Sequence, residues 1–126
     1  VRLSKSAQYA LLSVIELARS PEPVTVAQIA AREHLPEGAL AKVFQALVRA
    51  RIVQGTRGVH GGYRLCRPPS ELSVLAVVEL FDAPQPVPSA SADSAPSRSR
   101  LEQLLAEVDE LTRSTLASVT LETLTR

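Results

Sequence analysis

The sequence contains no tryptophan and no methionine, and only two tyrosines and two phenylalanines among 126 residues. Any core must therefore be assembled from Leu, Val, Ile and Ala, which favours helices packed on helices. The single cysteine, Cys66, excludes an internal disulfide and any metal cage built from thiolates alone, and it fits a reducing compartment. No stretch approaches the roughly 20 apolar residues that cross a bilayer. The opening segment is interrupted by Lys5, Gln8 and Glu16, so a cytoplasmic protein without a membrane partner is expected. Paired carboxylates, a Ser/His/Asp set, a phosphate loop and a dinucleotide fingerprint are all missing at usable spacing. The glycines between 58 and 62 do not open a helix, as a phosphate-binding loop would. An enzyme is not expected.

Net charge is also slight, at +1, but it is unevenly placed. Residues 1–69 hold ten basic and four acidic groups, a balance of +6, whereas residues 70–126 stand at −5. A basic half implies a polyanionic partner, because each Lys or Arg set on a phosphate releases condensed counterions. The length suits one domain with an appendage.

Local patterns give the order of elements. Ser4 precedes a helix to about Arg19, with Ala7, Ala10, Leu11, Val14, Leu17 and Ala18 on one stripe, and Pro21 and Pro23 stop it. Thr25 and Gln28 have the form of a capping box and open a second helix that ends near His34. A brief turn leads to a third helix over about 36–50, whose inward stripe is Leu40, Val43, Phe44 and Leu47. Two strands follow, over 52–56 and 63–66, joined by a glycine-rich tip. Ser73 can cap a helix carrying Val74, Val77, Val78 and Phe81. Residues 83–99 lose all periodicity and read as a flexible loop. Leu101, Leu104, Leu105, Val108 and Leu111 then head a long amphipathic helix that needs a partner surface, and Thr120 can cap a last short turn.

Two short helices across a tight turn, followed at once by a hairpin, make a winged helix-turn-helix. The fold expected is mainly α with a small β-hairpin wing and a long C-terminal dimerisation helix. The division expected is 1–82 for DNA binding, 83–100 for the loop and 101–126 for dimerisation. A major groove accepts one helix, and Glu37, Lys42, Gln45 and Arg49 lie opposite the third helix's apolar stripe. Arg57, beside Gly58, Gly61 and Gly62, can enter a narrow minor groove whose potential attracts arginine. Thr25, His60 and Arg64 complete the polar groups of this half that can touch DNA.

Several motifs carry a family resemblance. Leu3-Ser4-Lys5 with Tyr9-Ala10-Leu11, the wing run Val53-Gln54-Gly55-Thr56-Arg57-Gly58, then Gly61-Gly62-Tyr63-Arg64-Leu65, Arg67-Pro68-Pro69 and the closing Val119-Thr120-Leu121 resemble the Rrf-two family of regulators, which includes IscR, NsrR and CymR. The resemblance implies a homodimer whose long helices cross, placed on a roughly palindromic operator and acting as a repressor. It also implies phosphate contacts from Arg2, Lys5 and Tyr9. Gly38 and Ala41 stand where some members carry base-reading groups, so a different operator is expected. Cluster-binding members carry three cysteines in the loop after the fourth helix, but residues 83–100 contain none, and Gln8 replaces a carboxylate ligand. No iron–sulfur cluster, metal or other cofactor is expected. An effector, small molecule or protein, is left open.

Two other readings remain. Cys66 lies between cationic Arg64 and Arg67, the setting of a thiol-based redox sensor, although a lone strand cysteine more often packs as a small hydrophobe. A winged helix can also serve only as a protein-contact module. The charge asymmetry and the arginine at a glycine tip favour DNA.

Overall fold

The computed structural model describes residues 3–82 and 95–126. Helices α1 (Lys5–Arg19), α2 (Val26–Glu33) and α3 (Glu37–Arg49) precede strands β1 (Val53–Thr56) and β2 (Gly62–Leu65); a 3-10 turn at Pro69–Glu71, α4 (Val74–Val78), α5 (Pro96–Ser118) and α6 (Leu121–Leu124) complete the described chain.

Capping chemistry sets the helix starts. The Ser4 hydroxyl accepts from the Ala7 N–H at 3.1 Å. At α2 the Thr25 hydroxyl accepts from the Gln28 N–H at 3.1 Å while the Gln28 side chain accepts from the Thr25 N–H at 2.8 Å, so the box satisfies two free donors. The end of α2 depends on His34, whose φ of 55° turns the chain left-handed. Its N–H and that of Leu35 both return to the Ala30 carbonyl. The chain thus reverses within a few residues and aims α3 across α2. A second left-handed residue, Arg51 at φ 60°, closes α3: the Arg51 N–H reaches the Val48 carbonyl and the Ile52 N–H reaches that of Leu47, both at 3.0 Å. This is the Schellman arrangement, which satisfies the last carbonyls and turns the chain into β1.

The strands pair antiparallel, with Val53 opposite Leu65 and Gly55 opposite Tyr63. The first strand starts one residue later than the sequence expectation and ends where expected, while the second is shifted back by one residue and ends before Cys66. Val24 adds a further rung outside this pair of strands: it donates to the Tyr63 carbonyl at 3.0 Å and accepts from the Tyr63 N–H at 2.7 Å. The wing is thereby tied to the segment before α2. Gly62 makes this approach feasible, since its φ is +147° and an added Cβ would lie 2.7 Å from the Val24 carbonyl carbon.

The core is aliphatic apart from Phe44. Ala10, Val14 and Leu17 of α1 meet Leu40, Val43 and Leu47 of α3, Ile29 of α2, and Leu72, Val77 and Val78 from the segment leading into α4 and α4 itself. Ser13 is the one fully buried polar side chain among the described residues, and its hydroxyl donates to the Tyr9 carbonyl at 2.7 Å. The C-terminal segment returns to this core: Leu121 is fully buried, its N–H donates to the Leu72 carbonyl at 2.9 Å, and the Val74 N–H donates to that of Val119 at 2.8 Å. Thr120 stands at the start of α6 without a side-chain capping bond.

The expected loop over 83–99 is corrected at its far end, because α5 starts at Pro96. Proline at the first helical position loses no hydrogen bond and has its φ preset for the helix, so a Pro-Ser composition that suggests loop here opens a helix. The remainder of that expected loop, 83–94, lies outside the described residues. The helix itself has no buried residue. Among the described residues it is held at its C-terminal part, through Leu116 and the following Val119 packed on the core and an Arg113–Glu79 ion pair to the residue that closes α4.

Candidate nucleic-acid interface

The two faces of α3 differ sharply. Leu40, Val43, Phe44 and Leu47 are buried, while Glu37, Gly38, Ala41, Lys42, Gln45 and Arg49 are exposed. The outward stripe therefore combines small residues, which let the helix backbone approach a surface closely, with two cations and an amide. Gly38 has open space where a side chain would stand.

The wing is held beside α3 by aromatic packing. The Tyr63 ring lies 4.6 Å from that of Phe44, tilted by 39°, and covers Gly55 on the facing strand. Because side chains alternate along a strand, Tyr63 faces α3 and its neighbour Arg64 faces away. A groove of about 500 Å³ opens between the start of α2, the start of α3 and the wing, and Thr25, Glu37, Thr56, Arg57 and Tyr63 line it. Arg64 instead lines a separate recess of about 260 Å³ with Leu17, Pro21 and Glu22. Three of the expected contact residues, Thr25, Glu37 and Arg57, thus share one groove, and Arg64 stands apart from them.

Other expected residues fall as follows. Lys5 is exposed on the first turn of α1 and Tyr9 is half-buried one turn later, with its carbonyl occupied by Ser13. Thr25 spends its hydroxyl as an acceptor on the cap of α2. His60 is exposed at the wing tip. Arg2 lies outside the described residues.

Among the described residues the ion pairs are Arg32–Glu16 and Arg113–Glu79. Lys5, Lys42, Arg49 and Arg57 therefore have no carboxylate of the described residues within 4 Å, which leaves their charge to meet an anion. The reading of Cys66 as a packed strand residue is corrected. It is exposed, one residue beyond β2, with its N–H bonded to the Ile52 carbonyl at 2.9 Å. That bond fixes the backbone and leaves the thiol in solvent. His34 ends α2 and His60 is on the wing, and among the described residues no three His, Cys, Asp or Glu side chains gather to hold a metal ion.

Sequence reasoning missed the contacts that aim these groups. The Val24–Tyr63 rung has no local signature, being a single pair far apart in the chain. The Tyr63–Phe44 stack was legible in part, since one face of the second strand must turn toward α3.

Comparison with known proteins agrees with this architecture. The Rrf2 family, described as iron-dependent transcriptional regulators, matches residues 3–126. The HTH-type transcriptional regulator BadM of Rhodopseudomonas palustris is 36% identical over 126 residues, covering 98% of this chain and 81% of that protein. Among solved structures, CymR, the global cysteine regulator of B. subtilis, superposes with a TM-score of 0.84 at 27% identity, over 99% of this chain and 96% of that one. IscR of T. potens does so with a TM-score of 0.77, also at 27% identity, over 97% and 84%. With the helix-turn-helix, the wing and the long C-terminal helix all in place, the chain belongs to the Rrf2 family of winged-helix, DNA-binding transcriptional regulators and is not an enzyme.

Proposed function

We propose that this regulator binds duplex DNA as a homodimer, each subunit setting α3 in a major groove and its wing in the adjacent minor groove of a roughly palindromic operator, and represses by occupying that site. The observation that carries the reading is the set of exposed cations on α3 and the wing that have no ion-pair partner among the described residues, with Lys42 and Arg49 on one and Arg57 on the other. Cations left unpaired on one side of a fold attract a polyanion, and small residues on the same helix allow close approach. A module for protein contact alone has no need of that arrangement.

The second subunit is argued from α5. Leu101, Leu104, Leu105, Val108 and Leu111 recur at three- and four-residue spacing and are 44–69% exposed. An isolated stripe of this kind is covered in solution, and a symmetric partner covers it with the same residues.

Iron is implied by the family's description, but the donors of this chain do not fit it. Cys66 is the only thiol, and it is exposed one residue beyond β2. Cluster ligation needs several thiolates or their equivalents at one place. The reading is therefore a regulator without an iron–sulfur cluster.

A mobility-shift titration over a salt series tests the DNA reading. Affinity should fall steeply as salt rises, and Arg57→Ala should weaken binding and reduce the slope of log K against log salt by about 1. A protein that shifts no duplex at low salt is a contact module, and the proposal is then wrong.

A further inference from the structure

Val59 is 97% exposed, far beyond any other large apolar side chain among the described residues, which reach at most 69%. It stands at the outermost point of the wing between Arg57 and His60, both exposed. The loop that carries it is constrained. Gly58 has φ +118°, the Gly61 N–H donates to the Gly58 carbonyl at 3.0 Å, and a Cβ on Gly61 would lie 2.5 Å from the Thr56 carbonyl oxygen. The tip therefore holds a stiff, β-branched side chain away from the protein, with little rotamer freedom left to lose on contact.

An isopropyl group makes no hydrogen bonds, so it reads only shape. On the floor of a minor groove about 6 Å wide, A·T pairs show acceptors alone, and a G·C pair adds the guanine 2-amino donor. Pressing an aliphatic group over that amino removes its water and offers nothing in exchange, a penalty that A·T pairs escape. The narrow groove of A·T-rich DNA also draws in the neighbouring arginine, so both tip residues favour the same base pairs.

We infer that Val59 is a specificity-determining residue: it enters the minor groove with Arg57 and selects A·T over G·C at the step beneath the wing tip by excluding the 2-amino group. The inference rests on the reading of the wing as a DNA-binding element.

Selection from a randomised duplex library with the full chain supplies the test sequence, and base analogues then isolate the amino group. Replacing A·T by G·C under the wing should weaken binding about tenfold. Inosine·C, which lacks the amino, should bind like A·T, and 2,6-diaminopurine·T, which adds it, should bind like G·C. Val59→Ala should shrink the tenfold penalty to within about threefold, because the smaller side chain leaves room for the amino and its water. It should not change the salt slope, which Arg57→Ala should reduce. Equal binding of the G·C and inosine·C duplexes, or an unchanged penalty in Val59→Ala, overturns the role of Val59 while salt-dependent binding persists. Failure to enrich or shift any duplex overturns the underlying DNA reading itself.

Discussion

The Asp82 carboxylate accepts a hydrogen bond from the Ser4 N–H at 2.9 Å, joining residues 78 positions apart. Ser4 caps α1, so this contact sets a negative charge at the positive end of the helix that carries Lys5. It also ties the turn after α4 to the start of α1. Asp82→Ala should cost about 1 kcal/mol of unfolding free energy in a urea titration, the sum of one charge-assisted bond at an exposed site and a helix-end charge. Asp82→Asn, which keeps an acceptor oxygen, should lose less. Equal stability of all three proteins would mean that the contact holds nothing.

Gly62 is the position where a single methyl group should do most harm to the wing. Its backbone lies in the left-handed half of conformational space, and an added Cβ would lie 2.7 Å from the Val24 carbonyl carbon and 2.8 Å from its oxygen. Gly62→Ala should destabilise the fold by roughly 2–4 kcal/mol through strain and loss of the Val24–Tyr63 rung. Gly38→Ala is the control, because it meets open space in a helix; it should be neutral or stabilise by up to about 1 kcal/mol. Thermal unfolding of the two variants side by side checks the contrast.

The left-handed residue that closes α3 leads to the opposite expectation. Arg51 adopts φ 60° at a position where glycine is usual. A non-glycine residue there carries a steric cost of about 1–2 kcal/mol, offset in part by the greater freedom of glycine in the unfolded chain. Arg51→Gly should therefore raise stability by roughly 0.5–1 kcal/mol. A loss on denaturant unfolding would mean that the Arg51 side chain contributes more than its backbone costs.

What could be read from the sequence was what short segments determine. The Ser4 cap, the Thr25/Gln28 box, the proline stop after α1 and the alternation between apolar and polar residues on α3 are each fixed by neighbours a few positions away, and each stands where expected. Features that depend on distant partners were not legible. Val24 pairs with Tyr63, Asp82 with Ser4 and Leu121 with Leu72, and no residue in these pairs has a type that demands its partner. His34 and Arg51 turn the chain left-handed although glycine was the residue to look for. At the candidate interface the outward face of α3 was readable, while the separation of Arg64 from Arg57 depends on which face of the hairpin packs against α3.

Acidification should act on the α1–α2 contact. The Glu33 carboxyl is held above the usual carboxylate range, chiefly by its hydrogen bond with the Glu16 side chain, then by desolvation and by the Glu16 charge, with Arg19 and His34 opposing. A raised value means that the folded protein holds this proton more tightly than the unfolded chain. Its contribution to stability is then full at pH below the ordinary 4.5 and is lost as pH rises through the folded value. Glu33→Gln should accordingly be more stable than the parent at pH 7, with the gap closing as the pH falls toward 4.5. Denaturant titrations of both proteins at several pH values check this, and a gap that widens on acidification would reverse the sign.

The stripe on α5 separates folding from assembly. Leu104 is 54% exposed and belongs to a helix with no buried residue, so Leu104→Glu should change the stability of the monomer's own fold by no more than about 0.5 kcal/mol. In the proposed dimer the same side chain is covered by the partner's apolar stripe, and a carboxylate there would be desolvated without a cationic partner. Light scattering should therefore report twice the 13.5 kDa chain mass for the parent and the single chain mass for Leu104→Glu. Loss of the partner removes one of two half-site contacts, so binding to a palindromic duplex should fall by about a hundredfold or more, while binding to a single half-site stays within about threefold. A parent protein that scatters as a monomer at micromolar concentration would leave the apolar stripe without its proposed cover, and the palindromic operator would lose its basis.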